Sequence, residues 1–96
     1  MEQGTSRRFR VSGRVQGVGF RWFVKEEARR LELRGWVRNE PNGDVLLEAS
    51  GGTEALEELQ ALVRMGPPGA QVTRLVREAP DTLGDVSLPF PFAVHR

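Results

Sequence analysis

An amphipathic helical stripe occurs twice in this chain, each time soon after a strand pattern. That repetition constrains the fold more than any other feature of the sequence. The first strand pattern is "RRFRVSG", Arg7 to Gly13, with Phe9 and Val11 on one face and Arg8, Arg10 and Ser12 on the other. A glycine-rich loop follows. Phe20, Phe23, Val24, Ala28 and Leu31 then recur at helical spacing and predict a helix from about Arg21 to Leu31. The stretch "RGWVRNEPNGDVLLEAS" reads as a hairpin, with strands over about Gly35 to Asn39 and Asp44 to Ala49. Pro41, Asn42 and Gly43 form its turn, because Asn-Gly tolerates positive φ. Gly51 and Gly52 then break the chain and Thr53 is the expected N-cap of the second helix. Glu54, Glu57 and Glu58 suit the positive end of its dipole, and Leu56, Leu59, Leu62 and Val63 form its apolar stripe. Gly66, Pro67 and Pro68 stop it. "AQVTRLVREA" reads as a fourth strand, "APDTLGDVSLPFP" as a long loop, and "FAVHR" as a short terminal strand. Two helices with one apolar stripe each need one apolar surface. The expected packing is an α+β sandwich, with both helices on one face of an antiparallel sheet.

Ninety-six residues suggest one domain, residues 1–96. Hydrophobic content of 39% with 28% charge is ordinary for a soluble globular chain. No apolar run approaches the ~20 residues that span a bilayer, so no membrane role is expected. The N-terminal "MEQGTSRRFRV" lacks an apolar signal core, and a cytoplasmic location is expected. The absence of cysteine removes disulfides, thiolate nucleophiles and cysteine metal sites. One histidine, His95 near the C-terminus, leaves little from which to build a metal site or a Ser-His-Asp triad. A net charge of +1 makes no case for nucleic acid. Of 14 basic residues only Lys25 is a lysine. Arginine is the better planar fork for phosphate and carboxylate.

The chemistry-bearing stretch is "GRVQGVGFRWF", Gly13 to Phe23. A strand that feeds a glycine-rich turn into a helix N-terminus gathers unpaired backbone N–H groups where the dipole favours an anion. Gly17 and Gly19 let the backbone turn and approach a ligand. Arg21, in the first helical turn, can bind two phosphate oxygens at once. Known glycine motifs fit poorly. Phe20 and Arg21 follow Gly19 where a P-loop needs Lys and Ser or Thr, and Trp22 takes the third glycine position of the dinucleotide fingerprint. An RNA-recognition pattern is matched at only four of eight positions, and its rings would have to lie on a strand. Taken alone, two glycines and an arginine are more often only a turn.

Two segments go further. "VSGRVQGVGFR", Val11 to Arg21, closely resembles the first signature of the acylphosphatase family, and "GWVRNEPNGDVLLEASG", Gly35 to Gly51, resembles the second. Length and element order also fit, so the resemblance covers nearly the whole chain. It implies a ferredoxin-like βαββαβ fold with a short additional C-terminal strand. It implies hydrolysis of the carboxyl–phosphate bond of acyl phosphates to a carboxylate and inorganic phosphate, without metal or other cofactor. At the motif positions, Arg21 would bind the phosphate and Asn39 would position the attacking water. Backbone amides of Gln16, Gly17, Val18, Gly19 and Phe20 would hold the phosphoryl oxygens. The implied partners are a small acyl phosphate, with inorganic phosphate or other anions as product or inhibitor; nucleic acid and membranes are not among them, and a monomer is expected. The sequence departs from the family pattern at Glu32, where relatives often end the first helix with glycine, and at "FAVHR", where many close on a tyrosine.

The residues suit that chemistry. A carboxylate whose conjugate acid has a pKa of ~4 leaves without protonation, so no general acid is needed. Phosphoryl transfer can rest on positioning and electrostatic stabilisation. Trp36 reads as packing, Arg14 and Arg38 as solvated surface, and His95 as a terminal-strand residue without chemistry. Trp22 falls off the main helical stripe, so it is expected to be partly exposed near the site, and it has no assigned role. Two readings compete: a phosphate or carbamoyl-phosphate recognition module with little turnover, and RNA binding on the sheet. The second calls for rings on the open sheet face, where the first strand carries Arg8, Arg10 and Ser12.

Overall fold

The computed structural model describes residues 4–79 and 81–96. Its elements are β1 (Thr5–Arg14), α1 (Phe20–Arg30), β2 (Arg34–Asn39), β3 (Val45–Gly51), α2 (Thr53–Met65), β4 (Gln71–Arg77), β5 (Thr82–Leu83) and β6 (Ala93–Val94). The strands lie in the order β4-β1-β3-β2-β6, with β5 on β1. Neighbours among the first four strands are antiparallel. This interleaving makes β1 parallel to β2, and α1 is the crossover between them.

The core follows the period-2 and period-3.6 patterns. Phe9, Val11, Val37, Val45, Leu47 and Ala49 of the sheet form one buried cluster with Val24 and Ala28 of α1 and Leu56, Leu59 and Val63 of α2. Arg7 shares the core-side parity of Phe9 and is buried. It is tolerated because it pairs with Glu57 of α2 and with Asp81, both at 2.9 Å. On the opposite face, Arg8 pairs with Glu48, Arg38 with Glu40, and Arg10 with Glu78, Asp44 and Glu40.

Four details differ from the sequence reading. The sheet is mixed, because β6 pairs with β2 in parallel. A hairpin turn would impose an antiparallel sense, but the chain reaches the far edge of the sheet by the long connection from Arg77 to Ala93. That connection is not all loop. Thr82 and Leu83 pair with Ser6 and Thr5, but both are exposed, so they carry no apolar alternation. Third, Thr53 does not cap α2. It is already helical, Gly52 is the N-cap, and no side chain caps the turn. Fourth, the first helix ends by a Schellman motif built on Glu32 rather than glycine. The Leu33 N–H donates to the Ala28 carbonyl at 2.9 Å and the Glu32 N–H to the Arg29 carbonyl at 3.0 Å. Glu32 holds φ at 58° to do so. Among the described residues no helix is long and apolar enough to cross a membrane.

Candidate active site

The loop from Val15 to Gly19 joins an interior strand to the start of α1. Val15 and Phe20 are each 1% exposed and anchor its two ends in the core. Between them Gly17 and Gly19 take φ of 74° and 77°. A Cβ at either position would meet nothing within 4 Å. Glycine is therefore needed here for the left-handed backbone and not for room. The Gln16 side chain ties the loop to the β2–β3 turn: its Nε2 donates to the carbonyls of Glu40 at 2.8 Å and Asp44 at 2.9 Å. Val18 is half-buried and packs on the core. Among the described residues, no loop or turn hydrogen bond is donated by the main-chain N–H of Gln16, Gly17, Val18 or Gly19. No side chain caps α1 either. A run of unpaired N–H donors therefore surrounds the positive end of a helix.

A cleft of about 470 Å³ opens beside this loop. It brings together Gly17, Gly19, Phe20 and Arg21 from the loop and α1 with Asn39 from the end of β2. Gln16 and Val18 are not on its wall, in keeping with their anchoring side chains. The Asn39 side-chain Oδ1 is buried and has no hydrogen-bond partner. The Arg21 Nη1 donates to the main-chain carbonyl of His95 at 3.2 Å. The segment just after β6 thus steadies the arginine, through a carbonyl that no side-chain pattern announces. The His95 ring itself stacks on Trp36, with centroids 5.7 Å apart. Arg38 lies over the same indole and pairs with Glu40, and Arg14 is exposed.

Sequence reasoning placed Trp22 near the site without a role and missed Lys25, Arg29 and Val94. Trp22, Lys25, Arg29 and Val94 also line the cleft. The signal was present: Arg21, Lys25 and Arg29 stand at i, i+4 and i+8, one face of one helix. The Lys25 Nζ lies 3.3 Å from the centroid of the Trp22 ring, and Trp22 is 62% exposed. Arg29 Nε donates to the Phe92 carbonyl at 2.9 Å, a second tie between α1 and the C-terminal segment. The wall carries three cations and no carboxylate. Among the described residues, no cluster of three His, Cys, Asp or Glu side chains could hold a metal ion.

The family model of acylphosphatases matches residues 7–87, a span that holds the glycine loop, Arg21 and Asn39. The chain belongs to the acylphosphatase family. An acylphosphatase of Salinibacter ruber is 57% identical over 74 residues, covering 75% of this chain and 78% of that one. An acylphosphatase of Nitratidesulfovibrio vulgaris is 47% identical over 89 residues, covering 93% and 88%. Among solved structures, the acylphosphatase from Bacillus subtilis superposes with a TM-score of 0.89 at 35% identity, covering 96% of this chain and 99% of its own. The ferredoxin-like α+β fold and the membership that the two signatures implied are both borne out.

Proposed function

We propose that the cleft hydrolyses acyl phosphates with the loop amides and Arg21 holding the phosphoryl group and Asn39 guiding the water. The activity itself is that of the family: the chain is an acylphosphatase, acting on small acyl phosphates. The observation that supports the residue roles is that Asn39, whose Oδ1 is buried and unpartnered, lines the same cleft as Arg21 and the glycine loop. A buried acceptor left unpaired costs about 1–3 kcal/mol. Turning this amide toward the cleft would let the oxygen accept from a water, which removes that cost and leaves the water's lone pair free to face phosphorus.

In this reading the N–H groups of residues 16–20 and the Arg21 guanidinium bind the phosphoryl oxygens and stabilise their growing charge. The water oxygen forms the new bond to phosphorus. The bond from phosphorus to the acyl oxygen breaks, and its electron pair leaves with the carboxylate. The water's proton passes to a phosphate oxygen, since an amide is too weak a base to take it. Neither a covalent intermediate nor a metal is needed. The same proposal takes the chain as a monomer, with residues 1–96 as one domain. A cytoplasmic location and inhibition by inorganic phosphate belong to the same proposal.

Phosphate release from benzoyl phosphate, measured with a chelator present, tests it. Arg21→Ala is expected to lose about 10²–10³ in turnover. Arg21→Lys should also be poor, because an ammonium cannot reproduce the two-pronged contact. Near-normal turnover by the lysine variant would remove Arg21 from its role. Asn39→Ala is expected to lose turnover while inorganic phosphate still inhibits with its wild-type constant. An equal fall in phosphate affinity would make Asn39 a phosphate contact instead.

A further inference from the structure

The phosphoryl end does not use the whole cleft. The group carries about two negative charges, whereas the wall offers three cations, Arg21, Lys25 and Arg29, and no carboxylate. Arg21 and Arg29 each already donate to a carbonyl of the C-terminal segment. Lys25 has no ion pair or hydrogen bond of its own among the described residues, and its ammonium rests over the Trp22 ring. An ammonium in that position is held by the indole and still keeps donors for an anion. It stands four residues from Arg21 on one helix, about 6 Å along the axis. The long side chains of both residues start one helical turn apart and line the same cleft.

We propose that Lys25 recognises a second negative charge on the acyl half of the substrate, with Trp22 as the surface under the acyl chain. The substrate class this favours is the acyl phosphates of dicarboxylic acids over their uncharged analogues. The proposal rests on placing the phosphoryl group at Arg21. Net charge alone does not produce the preference, because a single charge on a helix one turn from the reacting group acts at a defined place on the substrate. A charge-assisted hydrogen bond to that second carboxylate should give a preference of about tenfold.

The test is the ratio of kcat/KM for 4-carboxybenzoyl phosphate to kcat/KM for benzoyl phosphate. The first probe is rigid and carries its carboxylate across the ring from the acyl carbon. The wild-type ratio is expected near 10. Lys25→Arg should keep it, Lys25→Gln should bring it to about 1, and Lys25→Glu should push it below 1. A ratio is insensitive to partial unfolding, which lowers both rates alike. A wild-type ratio of 1 or less, or a ratio that Lys25→Gln leaves unmoved, overturns the proposal. Inhibition by inorganic phosphate, measured for Arg21→Ala alongside, separates the two layers. A ratio independent of Lys25 with phosphate inhibition lost in Arg21→Ala sinks the role of Lys25 alone. A ratio that depends on Lys25 with inhibition unmoved in Arg21→Ala sinks the placing of the phosphoryl group instead.

Discussion

Glu32 is the one non-glycine residue at positive φ among the described residues, and it is exposed. An L-residue in this conformation costs about 1–2 kcal/mol, while glycine loses about 0.5–1 kcal/mol more backbone freedom on folding than alanine does. The difference makes Glu32→Gly stabilising by about 0.5–1 kcal/mol. Urea unfolding should show a higher midpoint at an unchanged slope. A lower midpoint would mean that the glutamate side chain supplies more than its backbone strain takes away. The site residues divide in the same way into those a sequence can show and those it cannot. Arg21 and Asn39 were legible because each belongs to a side-chain motif, and both motifs were present. The carbonyl of His95 was not, because every residue carries one. The sequence marks Lys25 only as the single lysine of the chain; what makes it distinct is the absence of a carboxylate on the cleft wall, and that is a property of the assembled cleft.

At the scale of elements, the site depends on how the loop is fixed to the hairpin. Gln16 is the tie, with one amide nitrogen shared between the Glu40 and Asp44 carbonyls. Both carbonyls also accept a backbone N–H across the turn, from Gly43 and Glu40 respectively. Losing Gln16 therefore leaves neither without a partner, and Gln16→Ala should cost only about 1 kcal/mol of stability. Its larger effect is on geometry. If the loop amides hold the phosphate as proposed, a slack loop misplaces them, and kcat/KM should fall about tenfold, with weaker inhibition by inorganic phosphate. Gln16→Glu should be worse than Gln16→Ala, because a carboxylate would face two carbonyl oxygens. Equal activity in Gln16→Glu and wild type would show that the tie is not needed. The elements themselves were legible where a face is buried, as in β1, α1 and α2. β5 was not, because an exposed two-residue pairing has no hydrophobic period to read, and β6 was placed but its parallel sense was not. Chain direction at the far edge is set by the long connection rather than by local pattern.

At the scale of the molecule, a net charge of +1 conceals two separate populations of cations. Those in the cleft face no carboxylate, whereas Arg10, across the sheet from the helices, sits among Glu78, Asp44 and Glu40. The hydrogen bond from Arg10 holds the Glu78 carboxyl below its ordinary range against a smaller opposing effect of burial. Burial alone would raise the Asp44 carboxyl, but contacts with Ser12, Asn42 and Arg10 outweigh it and the net shift is downward. Asp85 is also lowered, by hydrogen bonds from the side chain and backbone of Ser87, independently of Arg10. A carboxylate whose pKa is depressed by folding adds stability above its unfolded value of about 4, and that stability is lost as pH falls through the folded value. Stability should therefore hold from neutral pH down to about 4.5 and decline below it. Arg10→Met removes the main cause for Glu78 but only the Arg10 share for Asp44, whose contacts with Ser12 and Asn42 remain, and it leaves Asp85 untouched. Its melting temperature should lie below wild type at pH 7, approach it by pH 3, and still decline with acid through Asp85 and the share of Asp44 held by Ser12 and Asn42. Arg10 stays charged throughout this range, so the convergence reports its partners and not its own titration. Moderate salt at pH 7 should narrow part of the same gap, because these pairs are only half-buried and remain partly screened. A gap between wild type and variant that stayed constant from pH 7 to pH 3 would place the contribution of Arg10 in the packing of its stem over the sheet, where it lies in register with the buried Leu46.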